Sequence, residues 1–167
     1  SKFFGISVIS RSNSSSTGWS KNAFKQMIFS HYFKITDEII VNSFKFKKEM
    51  DERYNINCKC ILNPFEFKKI TIKSKFKVKK IYNKKSIKLI SMGRLTTQKD
   101  FLTILKAVKI LKNKNIELVI LGKGEEEKKL EKFIDQNNLN NKVKLLGYKT
   151  NPFPYIKQAD IFLLSSI

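Results

Sequence analysis

The stretch IKLISMGRLTTQKDFLTILKAVKILKN, residues 87–113, decides how this sequence folds. It begins with a nearly continuous apolar run over residues 87–92. After a short polar segment, apolar residues recur over residues 100–113 at the spacing of an amphipathic helix. A short apolar run of this kind is typical of a strand that is buried on both faces. The stretch therefore predicts a strand, a tight loop and a helix.

The same alternation continues to the end of the sequence. Further apolar runs predict strands at residues 116–122, 142–147 and 160–166, and the segments between them predict helices at residues 125–138 and 152–159. Strands that alternate with helices form a parallel sheet with right-handed crossovers. Ligands bind to such sheets outside the carboxyl ends of the strands, so the loops after these strands are candidate binding loops.

The first 67 residues have a similar but less complete pattern. It predicts strands at residues 3–10, 37–43 and 57–63, and helices at residues 19–33 and 44–54. The lysine-rich segment 68–85 follows, and its low apolar content predicts a basic linker between two α/β halves.

The charge of the sequence is strongly positive and unevenly distributed. The formal net charge is +20, with +12 in residues 1–84 and +8 in residues 85–167, and residues 68–88 hold ten lysines and no acid. Such a surface attracts phosphates on lipids, nucleic acids or nucleotides. The alternative is compositional, because AT-rich genomes encode proteins that are rich in Lys, Ile, Asn and Phe. No apolar run approaches the roughly 18 residues of a spanning helix.

Cysteine and histidine are scarce. Cys58 and Cys60 are too close in sequence for an ordinary structural disulfide, and His31 is the one histidine. These three side chains cannot form a closed zinc site, so we expect reduced thiols and no bound metal.

Two cations flank the predicted helix start at residue 100, where the helix macrodipole disfavours positive charge. Gly93 lets the backbone turn and a ligand approach, Arg94 can fork two hydrogen bonds onto a phosphate, and Lys99 points at the same space. Thr96 and Thr97 are candidate caps of the helix. The pattern predicts a diphosphate site at a strand end. The alternative is that both cations are solvated surface residues.

Four blocks in this order resemble a known family. They are LISMGRLTTQKDF, LVILGKGEEEKKL, VKLLGYK and YIKQADIFLLSS. Together they resemble the C-terminal nucleotide-sugar domain of the retaining GT-B glycosyltransferases of family 4. TDEIIVNSFKFKKEM and ILNPFEF resemble the end of that family's N-terminal domain and the crossing into the second domain.

The resemblance implies an α/β fold of GT-B type with two Rossmann-like domains. Residues 1–67 would be the last part of an incomplete N-terminal, acceptor-side domain. Residues 68–85 would be the linker, and residues 86–167 the first part of a truncated C-terminal, nucleotide-sugar domain.

The resemblance also implies roles for particular residues. Arg94 and Lys99, with the backbone at Gly93, would bind the donor diphosphate and stabilise the charge that grows on it as it departs, so that no metal or cofactor is required. The resemblance places five further positions near the nucleotide: Gly122, Leu146, Gly147, Tyr148 and Ser166. A simple tight turn is the favoured alternative for the Gly-Lys-Gly sequence that begins at Gly122, because the third glycine of a dinucleotide fingerprint is absent.

The glutamates that the family uses near the donor sugar and the ribose would lie beyond Ile167. We therefore expect no catalytic residue within the sequence, and we expect the 167-residue chain alone to show no turnover. On the acceptor side, Arg11 and Asn13 follow the first predicted strand and could face an acceptor, and a flexible serine-rich loop is the alternative.

The resulting hypothesis is a retaining hexosyltransferase. It would transfer sugar from a nucleotide-diphosphate sugar, most simply a UDP-sugar, to a glycan or lipid-linked acceptor in polysaccharide or cell-surface glycan synthesis. The expected location is the cytoplasm, with peripheral contact at the anionic inner face of the plasma membrane through the basic face of residues 1–84. The alternatives are a GT-B nucleotide-sugar epimerase and a non-catalytic module that binds membranes or nucleic acid. No helix-turn-helix, aromatic-basic strand motif or zinc knuckle supports nucleic acid as a partner.

Overall fold

The computed structural model describes residues 5–13, 22–83 and 85–166. It divides into two compact units with the boundary between Phe65 and Glu66. Every strand pairing in both units is parallel. This confirms the predicted α/β class.

Unit 1 contains a three-stranded sheet in the order β1-β2-β3 and two helices. Its elements are β1 (Ile9–Ser12), α1 (Ala23–Ile35), β2 (Glu38–Val41), α2 (Phe44–Tyr54) and β3 (Lys59–Cys60). Side chains fix both helix starts: Asn22 accepts from the backbone N–H of Phe24, and Ser43 accepts from that of Phe46. The buried core includes Phe33, Val41 and Met50.

Unit 1 differs from its prediction at the first strand, the first helix and the third strand, which is limited to Lys59–Cys60 instead of residues 57–63 because only these two residues pair with β2. Residues 3–4 and 19–21 of the predicted elements lie outside the described residues. The first strand runs from Ile9 to Ser12, later than predicted, because only these residues pair with β2. Helix α2 has the bounds that its apolar spacing predicts.

Unit 2 contains a four-stranded sheet in the order β6-β5-β4-β7. Its elements are α3 (Phe67–Ser74), β4 (Ile87–Met92), a 3₁₀ turn (Thr97–Lys99), α4 (Phe101–Ile110), β5 (Ile116–Leu121), α5 (Glu127–Gln136), β6 (Val143–Leu145), α6 (Phe153–Ile156) and β7 (Ile161–Phe162). Strand β4 is central, and pairs with β5 over its whole length and with β7 at two positions.

Both faces of this sheet are covered. On β5, Leu118 and Ile120 pack into the larger core with α4 and α5, whereas the alternate residues Val119 and Leu121 pack on the opposite face. This confirms the prediction from the continuous apolar runs, because a strand that is buried on both sides needs apolar residues of both parities.

The segment predicted to be a linker is corrected by the structure. Its first part forms α3, which packs against α6, and the whole segment falls on the unit 2 side of the boundary. Tyr82 is 4 % exposed, and its hydroxyl donates to the carbonyl of Leu89 at 2.7 Å. The high lysine content obscured this packing in the sequence. A few apolar side chains are enough to attach a short helix and the segment after it to an existing core.

Candidate functional site

The sheet order of unit 2 places the loop after β4 at a switch point. The chain moves from β4 outward to β5 and β6, and then returns to the other side of β4 to form β7. Loops that leave neighbouring strands in opposite directions open a crevice at their carboxyl ends. The loop that contains Gly93, Arg94 and Lys99 begins at this crevice.

Backbone hydrogen bonds hold this loop against the turn after β5. Gly93 N–H donates to Leu121 O at 3.0 Å, and Leu95 N–H donates to Lys123 O at 3.0 Å. The carbonyl of Leu95 accepts from Glu126 N–H at 2.9 Å. No side chain takes part in these three bonds, so the main chain sets the geometry of the first part of the loop, residues 93–95.

Two glycines permit this close approach. A Cβ on Gly122 would lie 1.9 Å from the carbonyl oxygen of Gly93, and one on Gly124 would lie 2.3 Å from that of Leu95. Gly122 also has φ +148°, a conformation that favours glycine. The tight-turn interpretation of Gly-Lys-Gly therefore fits the structure, and Gly122 in addition lines the cleft that the two loops enclose.

A cleft of about 470 Å³ opens at the carboxyl ends of β4 and β5. Its lining residues are Met92, Gly93, Arg94, Leu121, Gly122, Lys123, Tyr148 and Lys149. Four of the sequence-predicted residues thus come together: Gly93, Arg94, Gly122 and Tyr148. The lining contains cations and no carboxylate, which is an arrangement suited to an anion.

Two lysines of the cleft were not among the predicted site residues. Lys123 projects toward the β6 loop, with its Cε 3.7 Å from the position of a Cβ on Gly147. The ammonium of Lys149 lies 5.8 Å from the centre of the Tyr155 ring. A signal was available, since each lysine directly follows a strand-end glycine segment, but in a lysine-rich sequence such a signal is weak.

Lys99 contacts the loop from its other end. Lys99 is the last residue of the 3₁₀ turn. Its Cγ and Cδ lie 3.7 Å from the position that a Cβ on Gly93 would occupy. In the described part of the chain, no carboxylate forms an ion pair with Arg94 or Lys99. Arg94 lines the cleft and Lys99 does not, although Lys99 lies beside Gly93, which does.

The predicted helix start is corrected in detail. Helix α4 begins at Phe101, and its cap is Asp100, whose carboxylate accepts from Thr103 N–H at 3.4 Å and from the Thr103 hydroxyl at 2.6 Å. Thr96 makes no capping hydrogen bond, and Lys99 lies in the 3₁₀ turn that precedes the helix. The sequence did not predict Asp100 as the cap. It lies in the left-handed region, with φ 44°, where non-glycine residues are uncommon.

The β6 loop contributes one wall. Gly147 adopts φ 67°, and its carbonyl accepts from Gly122 N–H at 2.9 Å. Tyr148 is 67 % exposed and faces the cleft, whereas Leu146 packs against the core on the Tyr82 side of the sheet. Of the three predicted neighbours of a nucleobase, Tyr148 lines the cleft, whereas Leu146 and Gly147 are not among its lining residues.

The end of β7 is tied to the same loop. The Ser165 hydroxyl lies 2.8 Å from the Lys99 carbonyl oxygen and 2.9 Å from that of Asp100. Ser166 is exposed and is not among the residues that line the cleft. The structure therefore brings Ser165, rather than Ser166, into contact with the loop.

The predicted acceptor-side residues lie in unit 1. Arg11 donates to Asn63 Oδ1 at 2.8 Å and lines a second cleft, of about 620 Å³, beside α1. Asn13 is exposed and does not line it. The serine-rich alternative falls mostly on residues 14–21, outside the described residues.

The described residues also bear on metal binding, membrane spanning and the state of the cysteines. Over residues 5–13, 22–83 and 85–166, no three His, Cys, Asp or Glu side chains are grouped as a metal site would need, and no helix is long and apolar enough to cross a membrane. Both cysteines are free thiols. Burial raises the pKa of the Cys58 thiol to about 11, and its hydrogen bond with Asp51 adds to the shift.

Comparison with known proteins identifies the class. Residues 72–167 match the family model of the glycosyl transferases group 1. An uncharacterized glycosyltransferase of Methanocaldococcus jannaschii is 33 % identical over 149 residues, or 84 % of this chain and 37 % of the relative. The chain belongs to the group 1 glycosyl transferases.

Two further proteins extend this result. A Campylobacter jejuni N-acetylgalactosaminyltransferase, named for a diphospho-undecaprenol-linked substrate, is 28 % identical over 96 % of this chain and 44 % of its own. A crystal structure of S. aureus TarM with UDP and α-GlcNAc-glycerol superposes with a TM-score of 0.72 at 17 % identity, over 99 % of this chain and 34 % of TarM. This confirms the GT-B type of fold. The chain spans less than half the length of these proteins.

Proposed function

We propose that this chain supplies the donor-diphosphate site of a retaining glycosyltransferase of family 4. The donor is a nucleotide-diphosphate sugar, most simply a UDP-sugar. The observation that carries the proposal is the cleft at the β4 switch point, which Arg94 lines. Lys99 lies at the far end of the same loop, beside Gly93, and neither cation has a carboxylate partner among the described residues.

The proposed chemistry follows from charge. When the bond between the sugar and the diphosphate breaks, negative charge grows on the leaving oxygen. Arg94 forks hydrogen bonds onto a phosphate, and Lys99 adds a point charge on the same loop. Fixed cations stabilise this developing charge more than they stabilise the bound donor, because they need no reorganisation during the reaction. In this proposal the two cations do the work that a divalent metal ion would otherwise do.

The nucleoside is proposed to lie along the β6 loop. Tyr148 offers an exposed ring on which a base can stack, and Gly147 beside it adopts a positive φ. Lys123 and Lys149 add positive charge to the same wall. Several cations and an exposed aromatic ring within one cleft of about 470 Å³ suit a nucleotide.

The acceptor is proposed to be a glycan or a lipid-linked glycan, and the process to be polysaccharide or cell-surface glycan synthesis. The named substrate of the Campylobacter jejuni relative supports a lipid-linked acceptor. Arg11, beside the unit 1 cleft, is the proposed acceptor-side contact. We place the reaction in the cytoplasm at the inner face of the plasma membrane, because nucleotide-activated sugars are cytoplasmic donors.

Calorimetric titration of the chain with UDP tests the donor site. We expect UDP to bind, and Arg94→Ala to weaken binding by about tenfold to a hundredfold, as loss of a charge-assisted hydrogen bond predicts. Lys106→Ala, on the exposed side of α4, is the matched control and should leave the affinity unchanged. Equal losses in both variants, or binding to a DNA duplex in place of UDP, would contradict the proposal.

A further inference from the structure

Helix α3 has one side against the protein and one side in solvent. It packs on α6, and the Asn151 side chain donates to the carbonyl of Lys73 at 3.0 Å. Ile70, Lys73 and Ser74 are partly buried on this inner side. The residues on the opposite side, including Lys68 and Ile72, are exposed to solvent.

The solvent side presents two large apolar side chains. Ile72 and Phe76 are each 62 % exposed and are four residues apart. The helical turn continues past Ser74, since Lys75 N–H donates to Ile72 O and Phe76 N–H to Lys73 O. Phe76 therefore stays on the same side as Ile72, and the two form a small apolar ridge.

Lysines surround this ridge. Lys68, Lys69 and Lys75 are exposed on the same side, and further exposed lysines follow at positions 77, 79 and 80. Glu66 is the one acid between residues 64 and 99 of the sequence, and it pairs with Lys69 at 3.2 Å on the exposed surface, where such a pair is weak. The surface therefore combines exposed apolar area with nearly uncompensated positive charge.

We propose that this surface docks onto an anionic lipid bilayer. We call it the α3 patch and define it as Lys68, Lys69, Ile72, Lys75 and Phe76. A bilayer surface stabilises both of its components: apolar side chains enter the boundary of the acyl chains, and ammonium groups meet the headgroup phosphates. A nucleic acid duplex would bind the lysines but would leave Ile72 in water, so it fits the patch less well.

The proposal goes beyond the nucleotide cleft and does not depend on it. It replaces a diffuse basic face over residues 1–84 with one local contact in unit 2. Attached in this way, the chain would meet lipid-linked molecules in two dimensions rather than in solution.

Co-sedimentation with lipid vesicles tests the patch. The full 167-residue chain is incubated with vesicles of phosphatidylcholine and phosphatidylglycerol in equal parts, and with phosphatidylcholine alone. We expect binding to the anionic vesicles that weakens with salt. Lys68→Gln/Lys69→Gln/Lys75→Gln should weaken it on the order of a hundredfold, and Ile72→Ser/Phe76→Ser, which changes no charge, by at least about tenfold.

Helix α4 provides a stringent control. Lys106→Gln/Lys109→Gln/Lys112→Gln removes the same charge from exposed lysines beside the exposed Ile110. We expect this triple variant to lose less than tenfold. Equal losses in the two triple variants, with no effect of Ile72→Ser/Phe76→Ser, would mean diffuse electrostatic attraction and would overturn the proposal. Tighter binding to a short DNA duplex than to anionic vesicles would also overturn it.

Two accompanying measurements keep the result interpretable. Circular dichroism shows whether each variant is folded, and UDP titration shows whether its cleft is intact. Loss of vesicle binding with UDP binding retained supports the patch. If no form of the chain binds UDP while the pattern of vesicle binding holds, the proposed donor site fails and the α3 patch stands.

Discussion

The two strand-end sites of this chain are fixed by different means. In unit 2, the loop after β4 is held by main-chain hydrogen bonds to the turn after β5 and by the closeness that Gly122 and Gly124 permit. In unit 1, among the described residues, Arg11 on β1 is positioned by an exposed side-chain hydrogen bond to Asn63. A backbone-locked site is rigid before its ligand arrives, and so the entropic cost of binding is lower there.

The largest expected effect comes from breaking the locked loop. Gly122→Ala places a Cβ against the carbonyl oxygen of Gly93, so the two loops must separate. We expect a loss on the order of 2 kcal/mol in the free energy of unfolding, together with at least about tenfold weaker UDP binding. Urea unfolding and calorimetric titration measure the two quantities.

Gly147→Ala is the matched control for this change. Its φ is also positive, but an added Cβ would meet only the Cε of Lys123, at 3.7 Å. The cost should therefore be the backbone strain alone, about 1 kcal/mol. Equal destabilisation by the two substitutions would show that glycine conformation, and not contact between the loops, sets the geometry.

An intermediate effect is expected from Glu117, a buried carboxylate on strand β5 of unit 2. Glu117 is 5 % exposed, and burial alone would raise its pKa. Hydrogen bonds from Ser86, from Asn83 N–H and from Lys144 outweigh burial, so the pKa of Glu117 is lower than usual. Because the folded-state pKa lies below that of the unfolded chain, Glu117 stabilises the fold at neutral pH, and this contribution is lost as the pH falls through the folded-state value.

Glu117→Gln should cost about 1–3 kcal/mol at neutral pH and flatten the acid limb of stability against pH. Asp51 in unit 1 offers the comparison. Burial alone would raise its pKa, but hydrogen bonds from Cys58 N–H and Lys47 make it lower than usual. Its side chain is 27 % exposed, so Asp51→Asn should act in the same direction with a smaller effect. A larger effect for Asp51→Asn in acid unfolding curves would reverse this order.

The smallest effect is expected at the unit 1 site, where a side-chain hydrogen bond from Arg11 to Asn63 holds Arg11. Asn63→Ala removes the partner of Arg11 on an exposed surface, and we expect a change within about 0.5 kcal/mol in unfolding free energy. UDP affinity should be unchanged. A loss of several kcal/mol would show that the Arg11–Asn63 bond organises unit 1, and would remove the contrast between the two sites.

Much of the fold of unit 2 could be predicted from apolar periodicity. Strands β4 and β5 form the middle of the sheet, and short apolar runs like theirs are typical of strands that are covered on both faces. The segment 68–85 was predicted poorly, because helix α3 derives its stability from α6 rather than from its own pattern. Strand β7 pairs at only two positions, which no single-sequence pattern can specify.

The site could be predicted in part, for a related reason. Gly93 and Arg94 stand directly after a strong strand, so their position follows from topology. Lys123 and Lys149 enter the same cleft because the β5 and β6 loops fold toward β4, which depends on contacts between segments distant in sequence. Asp100 caps α4 in the left-handed backbone conformation, which the sequence pattern alone does not indicate.

The main-chain frame of the β4 loop also bears on how such a protein can be redesigned. Leu95 is held through both its N–H and its carbonyl, and Arg94 next to it contributes no side chain to that frame. Residue 94 can therefore be substituted with little loss of folding stability. Libraries that vary residue 94 alone would therefore retune which anion the cleft accepts, while the scaffold that presents it stays as it is.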